Sequence, residues 1–146
     1  MKPQREDFPL PDLLWEPTRA YWEAAGREEL RIPRCNHCQQ WTWYPKPVCP
    51  ECEKSDFAWR RLSGRAKLFS YVVVRHAFLP QYRDLTPFVP ALVVPEEAPQ
   101  VRLATRILTD APDEIGMDMS VRVVFQPLQF TGVETTVMAP LFRPDL

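Results

Sequence analysis

Apolar and polar residues change their period twice along the chain. From Asp12 to Gly26 the apolar residues Tyr21, Trp22 and Ala25 share one side of a helical pattern, with Pro17 in the first turn and Gly26 as a stop, so a short helix is expected. Before it, residues 1–11 are Pro-rich and charged and read as an extended arm that orders only against something else. After residue 65 the period falls to two, and five strands can be counted. Ala66–Arg75 is the first and Phe88–Val94 the second, where Pro90 suggests an edge or a bulge. Val101–Ile107, Val121–Gln126 and Thr135–Ala139 follow, and Asp110–Met117 reads as one helical turn between the third and fourth strands. Five short antiparallel strands with that insertion match an OB-type barrel, in which closure removes most exposed edges. The expected architecture is mainly β: an N-terminal arm and helix (1–29), a rubredoxin-like zinc ribbon (30–57) and a five-stranded OB-fold (58–146).

The ribbon is read from the cysteines. Cys35-Asn36-His37-Cys38 and Cys49-Pro50-Glu51-Cys52 are two CxxC pairs separated by ten residues. A CxxC turn aims both sulfurs at one point, so two facing turns supply the four thiolates that a tetrahedral Zn²⁺ takes at about 2.3 Å. Two disulfides or two redox-active pairs are the competing readings, and iron in place of zinc is chemically possible; no βαβ pattern surrounds either pair. Four thiolates leave no open ligand position, which makes the metal structural and leaves His37 outside its shell. The intervening Trp41-Thr42-Trp43-Tyr44 is expected as one arm of a hairpin turned by Pro45-Lys46-Pro47.

Composition narrows the function classes. The 18 basic and 19 acidic residues cancel to −1, against a protein built to neutralise many phosphates. Seventeen prolines against four glycines exclude long uninterrupted helices. No apolar run is long enough to span a bilayer and the N-terminus lacks the apolar stretch of a secretory signal, so a soluble, cytoplasmic protein is expected. Arg60, Arg61, Arg65 and Lys67 form the densest basic cluster, suited either to the phosphates of a nucleotide-containing ligand or to a solvated strand edge. Trp15, Tyr21 and Trp22, with Trp41, Trp43 and Tyr44, are more large rings than a ribbon and a short helix ordinarily cover, and read as core packing or as anchors for a partner protein.

The order of parts then becomes recognisable. Leu30-Arg31-Ile32-Pro33-Arg34-Cys35, the paired knuckles, Leu62-Ser63-Gly64-Arg65, Phe69-Ser70-Tyr71, Ile115-Gly116-Met117 and Phe142-Arg143-Pro144 resemble the family of zinc-ribbon plus OB-fold proteins that accompany thiolases. The chain departs from the usual pattern at Gln39, where a glycine commonly follows the first knuckle, and at Val72, where threonine is common. The resemblance implies a small accessory subunit associated with thiolase-like or ketosynthase-like enzymes of acyl-group metabolism. In one branch such a subunit belongs to an acyltransferase complex that acetylates a phloroglucinol-type polyketide; the sequence alone does not select that branch. The expected function is therefore a non-catalytic scaffold that holds the catalytic subunits and shapes the acyl tunnel. No cysteine is left over as a nucleophile, and His76 has no acid or nucleophile near it in sequence. An acyl-CoA binding module is the first alternative. A single-stranded nucleic-acid binder is the second, disfavoured by the −3 carried by residues 68–146.

Overall fold

In the computed structural model, which describes residues 8–146, the period-two stretches form strands that close on themselves. β3 (Arg65–Tyr71), β4 (Val89–Pro95), β5 (Leu103–Ile107), β6 (Ser120–Leu128) and β7 (Val137–Pro144) follow β1 (Arg31–Cys35) and β2 (Phe57–Arg61), and α1 (Glu16–Gly26) precedes them all. The barrel runs β3-β4-β5-β7-β6, and β6 returns to β3 through Ala66↔Val121. Neighbours are antiparallel except β5 and β7, which meet in parallel at Ile107↔Phe142 and so close the barrel.

Alternation decides what fills it. On β4, Val89, Ala91 and Val93 point inward, and they meet Leu68, Leu103, Ile107, Val121 and Phe142 in one buried cluster. Burial of each large side chain contributes about 1.5–3 kcal/mol. The second strand carries Pro90 in mid-barrel and not on an edge. Its C=O accepts the Val72 N–H at 3.1 Å, so the missing proline N–H falls where the β3 ladder ends, just past Tyr71↔Ala91. The first strand stops at Tyr71, four residues short of Arg75. A register shift between Leu68 and Ser70 bulges it, and beyond Tyr71 the pairing survives only as the bridge Val74↔Phe88. The last strand runs on to Pro144, past Pro140, because it pairs with β6 along its whole length, from Leu128↔Val137 to Val121↔Pro144.

Gly64 links the ribbon to the barrel. Its φ of +88° is left-handed, and a Cβ there would overlap the Val123 side chain, whose backbone N–H donates to the Gly64 C=O at 2.8 Å. Gly64→Ala is expected to cost about 2–3 kcal/mol, from backbone strain plus overpacking, read as a fall in the midpoint of chemical denaturation.

The helix begins at Glu16 and not at Asp12. The Asp12 carboxylate instead takes the Leu14 N–H at 3.0 Å, forming a turn ahead of the helix, and Pro17 sits in the first turn as the pattern predicts. Fully buried Ala24 and Ala25 let the helix come close to its neighbours. α1 ends at Gly26, but the left-handed residue that turns the chain is Glu28, at φ 59°. Of the expected extended arm, residues 1–7 lie outside the described residues. Phe8 is buried, with ring centroids 4.5 Å from Phe130 and 5.6 Å from Tyr82, so this part of the arm packs on the chain itself. Among the described residues no helix is long and apolar enough to cross a membrane.

Candidate metal centre and aromatic cleft

The two knuckles are built alike. In each, the first cysteine's C=O accepts the N–H four residues on, Gln39 to Cys35 at 3.0 Å and Glu53 to Cys49 at 2.9 Å, and that fourth residue is left-handed, at φ 67° and 63°. Position 39 is where a glycine commonly stands, and the positive φ supplies the reason. Gln39→Gly is therefore expected to raise stability by about 0.5–1 kcal/mol, seen as a higher melting temperature of the metal-loaded protein. The loss of the exposed Gln39 side-chain bond to the Asn36 C=O sets the upper limit on that gain.

The turns bring Cys35, Cys38, Cys49 and Cys52 together with all four sulfurs within 4.8 Å of one another. Cys35 and Cys52 are 3.5 Å apart and Cys38 and Cys49 3.6 Å, too far for disulfides and close to the edge of about 3.8 Å expected for a tetrahedron of sulfurs about 2.3 Å from a zinc ion. Charge points the same way. The Cys35 thiol is lowered to about 7, first by the Cys38 backbone N–H and then by other donors including the Cys52 and Cys38 thiols. Cys38 is pushed up to about 12: the Gln40 N–H lowers it, but desolvation and the sulfurs of Cys49, Cys52 and Cys35 outweigh that. A cluster in which a thiolate at one sulfur resists charge on the next is completed by a divalent cation. The donor set fits one structural Zn²⁺ with no open position for Lewis-acid chemistry.

The expected hairpin arm Trp41–Tyr44 does not form a strand. Trp41 makes a single bridge to Arg34, and regular pairing runs instead between β1 and β2, from Arg31↔Arg61 to Cys35↔Phe57. Trp43 leaves the ladder to pack on Tyr21, ring centroids 4.7 Å apart. A chain of ring contacts results: Trp15 stacks on Tyr44 at 6.0 Å, Tyr44 meets Trp43 at 5.2 Å, and Tyr21 meets Trp22 at 5.0 Å. Tyr21 is buried, which raises its phenol above the ordinary range, with Tyr44 adding to the shift. Trp22, Trp41 and Trp43 pack half-buried against the core, and Trp41 carries the Arg34 guanidinium 4.8 Å above its ring. Only Trp15 and Tyr44 of the six expected anchors are exposed. Between these rings and the outer face of β5 and β7 lies a cleft of about 590 Å³, bounded on the barrel side by Ala104, Arg106 and Leu141.

The basic cluster divides. Arg60 and Arg61 stand on β2, where Arg61 faces Arg31 across the ladder. The Arg31 side chain, with further help from Arg27 and Arg61, holds the Glu29 carboxyl below its usual range. Arg65 and Lys67 stand on β3 beside a shallow hollow that also holds Arg122, Glu96 and Asp145. Lys67 donates to the Ser120 hydroxyl at 2.8 Å and Arg122 pairs with Asp145 at 3.3 Å. His76 is exposed and rests edge-on against Phe78 at 4.8 Å. Arg106 was missed by sequence reasoning. Its place on the outer face of β5 follows from alternation, but the cleft it borders is made by distant segments.

A two-knuckle tetrathiolate ribbon joined to a closed five-stranded barrel defines a zinc-ribbon plus OB-fold protein. The family described as ChsH2, rubredoxin-like zinc ribbon domain, matches residues 22–58, and ChsH2, C-terminal OB-fold domain, matches residues 59–126. The chain belongs to this ChsH2-type, DUF35 family. It is 33% identical over 126 residues to a probable enoyl-CoA hydratase alpha subunit of Thermomonospora curvata, a match covering 86% of this chain but only 37% of that longer protein. A DUF35 domain-containing scaffold protein of Methanocaldococcus jannaschii is 29% identical over 68% of this chain and 69% of its own. Among solved structures, the Ltp2-ChsH2(DUF35) aldolase superimposes with a TM-score of 0.77 at 29% identity, over 92% of this chain and 98% of that one.

Proposed function

We propose that the chain is a non-catalytic scaffold subunit that holds a thiolase-like enzyme acting on acyl thioesters in the cytoplasm. The observation that carries this reading is an exposed apolar ridge where the chain enters α1. Leu13 and Leu14 precede Trp15, Leu14 is 83% exposed, and Trp15 (48%) and its stacking partner Tyr44 (51%) present their rings to solvent. Large rings held rigid at low entropic cost are what a partner surface uses as anchors. Relatives named scaffold proteins, and a matching structure whose name pairs ChsH2 with Ltp2, support the same reading. A ketosynthase-like second subunit and an acyl tunnel bordered by this chain extend it. Arg60 and Arg61 stand on β2 and Arg65 and Lys67 on β3, and only the second pair lines the hollow beside Arg122, which favours the scaffold over the acyl-CoA alternative.

Co-expression with a thiolase-like subunit from the same genome, followed by size exclusion, tests the proposal. One co-eluting complex is expected, with acyl transfer absent from the isolated chain and present in the complex. Separate elution, or turnover of an acyl-CoA by the chain alone, would refute it.

A further inference from the structure

Arg106 is half-buried, whereas the other arginines on the barrel strands or beside them, Arg65, Arg102, Arg122 and Arg143, are exposed. Arg102 stacks on Phe69 and donates to the Pro99 and Val101 carbonyls, Arg122 pairs with Asp145, and Arg75 pairs with Asp113. Arg106 is half-buried, yet its guanidinium has no ion pair or side-chain hydrogen bond among the described residues. It sits where two cavities meet. On one side is the cleft of about 590 Å³, whose walls are mostly apolar and include Trp22, Trp43, Tyr44, Leu128 and Leu141. On the other is a more polar hollow of about 530 Å³ bordered by Thr109, Asp110, Gln126 and Arg143. Asp110 forms no ion pair with either arginine.

We propose that the cleft is a binding site for amphipathic small-molecule carboxylates, with a ring-sized apolar body under Trp22, Trp43 and Tyr44 and the carboxylate on the Arg106 guanidinium. The volume lies within the usual range of small-molecule sites; Arg102 also borders the cleft, but its guanidinium is already taken by the Phe69 ring and the Pro99 and Val101 carbonyls, which leaves Arg106 as the cation on a mostly apolar wall that can fix the orientation of such a ligand. A guanidinium presents a planar fork that matches a carboxylate in two parallel hydrogen bonds. Partial desolvation lowers the Arg106 pKa, against a smaller opposing contribution from Tyr82, and an incoming anion offsets that loss of hydration. The cleft shares the Tyr44 ring with the protruding Leu14–Trp15 ridge, but it is backed by Trp22 and Trp43, which pack on the chain's own core, and its charge comes from Arg106, so this site goes beyond the scaffold reading and does not depend on it.

The zinc-loaded full chain is titrated with 2-naphthoate and, in parallel, with neutral 2-naphthamide, by calorimetry and tryptophan fluorescence at low ionic strength. One naphthoate per chain is expected, bound at least tenfold more tightly than the amide. Arg106→Gln should weaken naphthoate at least tenfold and leave the amide unchanged, and Arg106→Lys should fall between. Circular dichroism and zinc content establish that each variant is folded. Absence of naphthoate binding, equal affinity for acid and amide, or undiminished binding by a folded Arg106→Gln variant overturns the site. If that variant keeps naphthoate affinity but loses tenfold in assembly with the thiolase-like subunit, the guanidinium serves an acidic side chain of the partner, and the small-ligand site is equally overturned.

Discussion

Cys49→Ser is expected to release the metal and take the ribbon's order with it. Cys49 is fully buried and its sulfur stands 3.6 Å from that of Cys38, so a serine leaves three thiolates facing a weak ligand. Between Cys35 and Asp56 the only β pairing among the described residues is the bridge at Trp41, and apart from the turns at the cysteines the segment is held by Trp41 and Trp43 packed on the core and by a few single hydrogen bonds. In isolated zinc peptides metal binding supplies on the order of 10 kcal/mol of folding free energy. The loss here is not confined to the knuckles, because Leu30 and Ile32 belong to the same buried cluster as the barrel residues Leu68 and Val93. Hydrogen exchange should show residues 35–56 unprotected, and barrel melting should move down. Mass spectrometry should find about one zinc per wild-type chain and almost none in the variant; bound zinc at wild-type level in Cys49→Ser would overturn the ligand assignment. Acidification should act in the same direction, since each thiolate must shed its proton to bind metal and protons compete for it as pH falls.

The ribbon was legible in the sequence because its chemistry is local: two CxxC turns fix the ligands whatever surrounds them. The barrel strands were legible because one-sided burial forces alternation, as on β4. The misread boundaries have particular causes. Pro140 and Pro144 look like terminators of the last strand, but β7 tolerates them because its pairing with β6 is set over eight register positions, from Val121↔Pro144 to Leu128↔Val137. The β1–β2 pairing was not foreseen. It joins Arg31–Cys35 to Phe57–Arg61 across the whole metal module, and Arg31 and Arg61, like charges directly opposite, give no local signal for it. The aromatic residues could not be sorted from spacing alone. Tyr21 is core and Trp15 is surface, although only six positions separate them, because the ring the returning loop lays on Tyr21 is Trp43, itself packed on the core, whereas the ring it lays on Trp15 is the exposed Tyr44. Arg106 depends on the same return, since its isolation is visible only once the ribbon is placed against β5 and β7.

Trp15→Ala and Tyr44→Ala together are expected to abolish assembly with the thiolase-like subunit while leaving this chain folded. The two rings stack on each other at 6.0 Å and are each about half exposed, so removing them takes little from the buried cluster to which neither belongs. At an interface the effect is larger. Truncation of a central aromatic anchor costs about 2–4 kcal/mol, and rings in contact do not add independently, so a loss of about 4 kcal/mol is expected for the pair, on the order of a thousandfold in affinity. Trp43→Ala provides the contrast. That ring packs on buried Tyr21, so its removal should lower melting by opening a cavity before any interface is tested. Biolayer interferometry on zinc-loaded protein, with melting measured on the same samples, separates the two. Wild-type affinity in a folded Trp15/Tyr44 double variant would remove the ridge as the partner surface and direct attention to the second exposed apolar group, Val72, Phe78 and Leu79, in the loop after β3.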